Sequence, residues 1–329
     1  MDHCKELTLI IRDFLYVDVD KVRSILAQIE GSIPEEERSS NRQVNSGGGL
    51  PGTSMYADAS REVHISKSLA DSLFPSLEES LESEGLIHDI TDVACGGDYW
   101  TSGEVREKNP PGSLIRLTAQ GSLFDARYVA ASFSGLGSAA LGFQGLDPSD
   151  APTLPPAVRK RQNKNRIARS QEISTGQLEA TIPDFNIGSE NDSVDGEQLR
   201  SMVRIARGLF SPGLHLNLFP VSGEDCTVTV RLQEGRQYLD SEPEVLFARY
   251  GTGQQEWTLV GSIGHHATAQ SDIEISKFAD ESGRVNRGSA AKFINSFLSF
   301  MGAMGFLDLP QHPGFSVIPL AVYRQIPIS

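Results

Sequence analysis

Apolar residues run almost without interruption from Leu7 to Val17, with only Arg12 and Asp13 charged. Such a run predicts a strand covered on both faces. The period then changes. Val22, Ile25, Leu26 and Ile29 recur at i, i+3, i+4 and i+7, the apolar stripe of an amphipathic helix. Asp18 or Asp20 can cap that helix, because a short carboxylate accepts hydrogen bonds from the free N–H groups of the first turn. Gly31 and Pro34 end it.

Further along, Leu69, Leu73, Leu77 and Leu81 repeat every fourth residue and predict a helix over 66–84, kinked at Pro75. Leu86–Ile90 reads as a short strand, and Leu114–Thr118 with Leu123–Tyr128 as a hairpin. Val129–Gly145 is small, apolar and glycine-rich, and its pattern assigns no element. In the C-terminal half a helix capped by Asp195 carries Leu199, Met202, Val203 and Ala206. Strands are expected at Leu214–Val221, Cys226–Leu232, Glu244–Tyr250 and Glu256–Ser262. A helix capped by Ser289 bears the strongest stripe of the chain: Ala290, Phe293, Ile294, Phe297, Leu298 and Met301. Phe315–Tyr323 is a closing apolar strand, expected to lie beside the first.

Strands and helices do not alternate strictly. The fold class this implies is α+β, a mostly antiparallel sheet with packed helices in two associated lobes. Residues 1–147 form the expected N-terminal lobe, with a polar, glycine-rich flexible loop over Ser32–Val63. Residues 148–195 read as a disordered linker, basic then acidic, and 196–329 as a C-terminal α+β lobe.

Composition narrows the class. The chain has 329 residues, 39% of them hydrophobic, and a net charge of −14, a balance that opposes non-specific adhesion to nucleic acid or anionic lipid. Cys4, Cys95 and Cys226 lie far apart, without the spacing of a zinc site or a disulfide scaffold. No signal-like start and no apolar run of membrane length stands out, so a soluble cytoplasmic protein is expected.

Candidate chemistry is sparse. Asp18 and Asp20 follow a strand end, where paired carboxylates can hold Mg²⁺, yet their place at a helix start already accounts for them. His265-His266 could ligate a metal with Asp272 and Glu274, but neighbours on a strand point to opposite faces. No GxSxG, HExxH or GxxxxGK[ST] motif occurs. No catalytic residue, metal site or cofactor is therefore assigned. The one sharp electrostatic contrast is Arg159, Lys160, Arg161, Lys164, Arg166 and Arg169, six cations in eleven residues. They could contact a phosphate backbone, though no aromatic residue among them offers base stacking.

Three segments carry a resemblance: FLYVDVDKVRSILAQIEG near the start, EWTLVGSIG at 256–264 and VIPLAVYRQI at 317–326. They resemble an uncharacterised family of bacterial proteins of unknown function, the matching positions being Tyr16, Asp18, Asp20, Ser24, Gln28, Pro319, Ala321, Tyr323 and Arg324. The resemblance implies an intracellular bacterial protein and no particular activity. Asp20, Ser24 and Gln28 fall at i, i+4 and i+8, a polar line that Arg324 could join if the last strand lies beneath the helix. The expectation is a non-enzymatic binding or regulatory protein acting through protein partners. The alternatives are a nucleic-acid-associated protein using residues 159–169, and a metal-dependent hydrolase.

Overall fold

The computed structural model describes residues 11–30, 72–144, 175–187, 194–222, 226–269, 284 and 286–326. The basic segment 159–169, the loop 32–63, Asp272 and Glu274 lie outside them. The chain divides into two compact units: residues 1–124, 214–305 and 309–329 form the first, and 125–213 with 306–308 the second.

The first unit is built on a seven-stranded sheet. Its strands are β1 (Ile11–Val17), β2 (Ile87–Asp89), β3 (Leu114–Phe124), β6 (Leu214–Phe219), β7 (Val228–Leu232), β8 (Gln255–His266) and β9 (Phe315–Ile326). β3 pairs with β6 and β8, β9 with β7 and β8, and β6 with β7, so these five strands close on themselves. β1 adds antiparallel to β9 and β2 adds parallel to β3. The α+β class stands, but the expected mostly antiparallel sheet is corrected to a mixed closed barrel. Two pairings, β2–β3 and β7–β9, are parallel. Closure gives each of the five ring strands two neighbours within the ring, while β1 and β2 each pair with a single strand.

Long strands make closure possible. Gln120-Gly121 does not turn a hairpin; β3 runs straight through it, pairing with β8 along Leu114–Gly121 and with β6 along Gln120–Phe124. Gly121 permits the crossing, since an added Cβ would lie 2.8 Å from the Asn217 carbonyl oxygen. Gly261 does the same at a β8–β9 bulge, where a Cβ would lie 2.5 Å from the Ile318 oxygen. Glycine at such points lets two backbones approach where any side chain would force them apart.

The pleat sorts side chains into two faces. Leu117, Leu259 and Val322 share one row, with Ile115 two residues away, and all four are fully buried. The opposite face carries Arg116, Val260, Ala321 and Tyr323. Helices α1 (Val19–Glu30) and α2 (72–83) pack on this second face. Val22, Phe74, Leu77, Leu81, Val260, Leu320, Ala321 and Tyr323 form one core, with Ile25, Leu26 and Ile29 packed against it. Asp18 caps α1: its Oδ1 accepts the Lys21 N–H at 3.1 Å and its Oδ2 pairs with Lys21 Nζ at 2.6 Å.

Three short helices follow β2: α3 (Thr91–Ala94), α4 (Gly97–Thr101) and α5 (Glu104–Lys108). Residues 244–250, expected as a strand, are helical: α8 spans Pro243–Tyr250. Proline at its first position, Gly251 at φ 71° after its end, and Leu246 and Phe247 buried one turn before Tyr250 explain the outcome. The last helix of this unit, α9 (Arg287–Ala303), is capped by Asn286 rather than Ser289, whose own N–H donates to Asn286 Oδ1 at 3.2 Å.

The second unit is largely helical. The unassigned stretch 129–145 belongs to α6 (Ala126–Gln144), which packs with a 3₁₀ turn at Thr175–Thr181 and with α7 (Gly196–Leu209). Between them lies the short antiparallel pair β4 (Asn186–Ile187) and β5 (Val194–Asp195). Ala130, Ala140, Leu178, Ile182, Phe185, Leu199 and Val203 form its core. Asp195 caps α7 in a reciprocal box with Gln198. Among the described residues no helix is long and apolar enough to cross a membrane.

Gly261→Ala should lower stability by about 1–3 kcal/mol, because backbone rather than a mobile side chain occupies the space. Gly253→Ala, with nothing within 4 Å, should stay within about 0.5 kcal/mol of the wild type. Urea denaturation of the two variants checks both.

Candidate functional site

Three polar centres lie in the barrel unit, and each has a different character. The first is buried. Glu78 occupies a core position of α2, in step with Phe74, Leu77 and Leu81, and its side chain is 3% exposed. Its Oε2 accepts from Arg12 of β1 at 2.7 Å. Its Oε1 accepts from Arg116 of β3 at 2.6 and 3.0 Å and from the Tyr323 hydroxyl of β9 at 3.0 Å. Arg116 also bonds Glu82. Burial alone would lower the Arg116 pKa, but Glu78 and Glu82 more than offset that and raise it. Burial and the Glu78 charge push Tyr323 up to about 12, so it remains a donor at neutral pH. Each side chain here is engaged with another, although Arg12 Nε is buried and meets no acceptor among the described residues. The cluster can tie α2 to three strands, but it offers a ligand no obvious opening.

The second centre lies on the other face of the same strands. Asp13 and Arg324 are cross-strand partners between β1 and β9. Arg324 donates from Nη2 to Asp13 Oδ2 and from Nη1 to Gln255 Oε1, both at 2.8 Å. Its guanidinium lies 4.4 Å from the Tyr250 ring centroid and 5.4 Å from that of Trp257. The Tyr250 hydroxyl donates to Asp13 Oδ2 at 3.3 Å. Burial, then the Asp13 charge, push its pKa up to about 12. Arg324 and Asp13 remain about one-third exposed, 35% and 36%. They line a pocket of about 390 Å³ with Gln255, Glu256, Gln325 and Ile326. This is the candidate binding site: a planar cation held rigidly on two aromatic rings and open on one side.

The third centre is a buried amide hub. Asn109 donates through Nδ2 to the Val105 carbonyl at 3.0 Å and to the Tyr99 hydroxyl at 2.7 Å. Its Oδ1 therefore faces His88 Nδ1, 2.6 Å away, and that nitrogen carries the proton. The Asn109 carbonyl in turn accepts from His266 Nε2 at 2.7 Å. Burial holds the His266 pKa below its ordinary value, against the opposing pull of the Asn109 carbonyl.

The residues singled out from the sequence are dispersed among these centres. His265 is exposed and His266 buried, as alternation on β8 requires. Among the described residues no group of three or more His, Cys, Asp or Glu is placed to hold a metal ion. On α1, Gln28 Nε2 donates to the Ser24 carbonyl at 3.0 Å; Asp20, Ser24 and Gln28 are all exposed. Gln28 also borders a groove of about 580 Å³ whose walls include Ile25, Ile29, Leu81 and Leu114. The last strand does lie beneath the helices, but the residue facing them is Tyr323. Arg324 turns to the opposite face and joins Asp13 and Gln255. Glu78 went unread in the sequence, although a lone carboxylate in the i, i+4 rhythm of an apolar stripe was its signal.

A mixed β-barrel flanked by helices, with a rigid arginine site on one face, is the class of protein these features define. The chain belongs to the family described as Domain of unknown function (DUF6414), which matches residues 11–323. No curated protein and no solved structure matches it.

Two outcomes follow. Glu78→Ala strands two arginines in a mostly buried site and should cost about 3–5 kcal/mol in denaturant unfolding. His266 is favoured neutral when folded, so its stabilisation is complete above the unfolded pKa of 6.5. It is lost as pH falls from there through the lower folded value. His266→Gln should therefore flatten the loss of thermal stability between neutral and mildly acidic pH relative to wild type.

Proposed function

We propose that this protein is a non-enzymatic binding module that acts through a protein partner, docked on α9. The observation that carries the reading is the exposure of three of the six stripe residues on α9, with Ala290, Phe293 and Met301 half-buried. Ile294 is 54% exposed, Phe297 43% and Leu298 42%, with Met304 just beyond the helix at 51%. A stripe at helical spacing ordinarily faces a core, and uncovered apolar surface of this kind marks interaction sites on otherwise polar proteins.

Charge selects the partner. α9 carries Arg287 and Lys292 and no Asp or Glu, within a chain of net charge −14. The complementary occupant is a protein presenting an apolar helix or groove rimmed by carboxylates. A second acidic copy of this chain would have to bring like net charges together.

The test places a photo-crosslinking residue at position 297 in the native host and compares Phe297→Asp and Leu298→Asp. Support is a stoichiometric acidic partner whose capture weakens with salt and is lost, at least tenfold, in both variants while their melting temperatures hold. Retained capture in the variants sinks the reading. So does a homodimer in light scattering that the same substitutions dissolve, which would assign the face to a second copy.

A further inference from the structure

We propose that the pocket beside Arg324 binds a small zwitterion of the free amino-acid class. The site is independent of α9 and lies within the barrel unit. Its volume, about 390 Å³, falls within the range of small-ligand sites, roughly 300–1,000 Å³.

The walls differ from those of an ordinary apolar cleft. Of the residues lining the pocket, only Ile326 is apolar. Arg324 is preorganised by its aromatic bed and by two hydrogen bonds to side chains, so little rotamer freedom remains to be lost when an acceptor arrives. Those two bonds leave most guanidinium donors unused. Its Nε is buried and meets no acceptor among the described residues. A buried donor without a partner at a pocket wall points to an oxygen acceptor from a ligand or solvent.

Two carboxylates decide the ligand's charge. Both Asp13 and Glu256 line the pocket, Asp13 from the Arg324 face and Glu256 from the alternate position on β8, where it is exposed. A simple anion drawn to the guanidinium would meet both carboxylates. A simple cation drawn to them would meet the guanidinium. A molecule carrying a carboxylate and an ammonium on adjacent atoms satisfies each group with its opposite. Gln255 is engaged by Arg324 and the Tyr250 carbonyl, which leaves the Gln325 amide to supply hydrogen bonds of either polarity to the remainder.

The measurement is calorimetric titration of the full chain with each of the standard free amino acids. The expected result is that at least one binds with Kd at or below about 1 mM. Its N-acetyl and carboxamide derivatives, each lacking one charge, should bind at least tenfold more weakly. Arg324→Gln should weaken binding at least tenfold, as should Glu256→Gln. The latter is exposed and spared from the Arg324 network, so it keeps the test informative if the arginine variant unfolds. The proposal is overturned if no free amino acid binds below about 10 mM, if a blocked derivative binds as well as its parent, or if folded Glu256→Gln binds unchanged.

Discussion

A single carboxylate organises the barrel unit. Glu78 projects from a helix into a site closed by Arg12, Arg116 and Tyr323, which belong to three different strands. None of these groups could be buried alone, because an unpaired charge away from water is far costlier than the attraction any one pair returns. Together their charges compensate one another, and the contacts that do so tie α2 to three strands. The apolar core around Phe74, Leu77 and Leu81 drives that packing. The ion cluster selects its register.

The same strands present opposite faces to opposite tasks. On β9, Tyr323 and Arg324 are neighbours, and the two-residue period sends one to Glu78 and the other to Asp13. A single strand therefore joins the architectural cluster to the pocket. The two faces differ in accessibility more than in chemistry. Both hold arginine and carboxylate, but Glu78 is sealed by helices whereas Arg324 and Asp13 reach solvent. Aromatic rings do for Arg324 what the helices do for Arg116: they fix the guanidinium and remove water from one side of it.

Local order was readable wherever one period dominated. The stripe Val22, Ile25, Leu26 and Ile29 gave α1, and the apolar runs ending in Trp257–Ile263 and Phe315–Tyr323 gave β8 and β9. Misreadings fell where local signals competed. Glu244–Tyr250 looked extended because Val245, Leu246 and Phe247 are consecutive, yet the proline and glycine at its ends set a helix. Leu114–Thr118 and Leu123–Tyr128 read as a hairpin, because the close approach of distant strands at Gly121 leaves no local mark. Barrel closure, the parallel pairs and the Arg324 site each depend on partners far apart in the chain, which periodicity cannot register. The α9 stripe was legible as a helix, but nothing in its spacing told that Ile294, Phe297 and Leu298 would be exposed.

Strand β9 meets three others, β1, β7 and β8, and pairs Ile326 with Ile11. Its residues leave the ribosome after nearly all the rest of the unit has been made. Until then β1 has no neighbour on that side, and the ring is open at the place where β7 and β8 must be bridged. Contacts of such long sequence separation carry a large loop-closure cost before they return any stabilisation. Closure of this barrel consequently waits on the last of its strands in chain order, and until β9 pairs, the facing edges of β1, β7 and β8 stay unpaired.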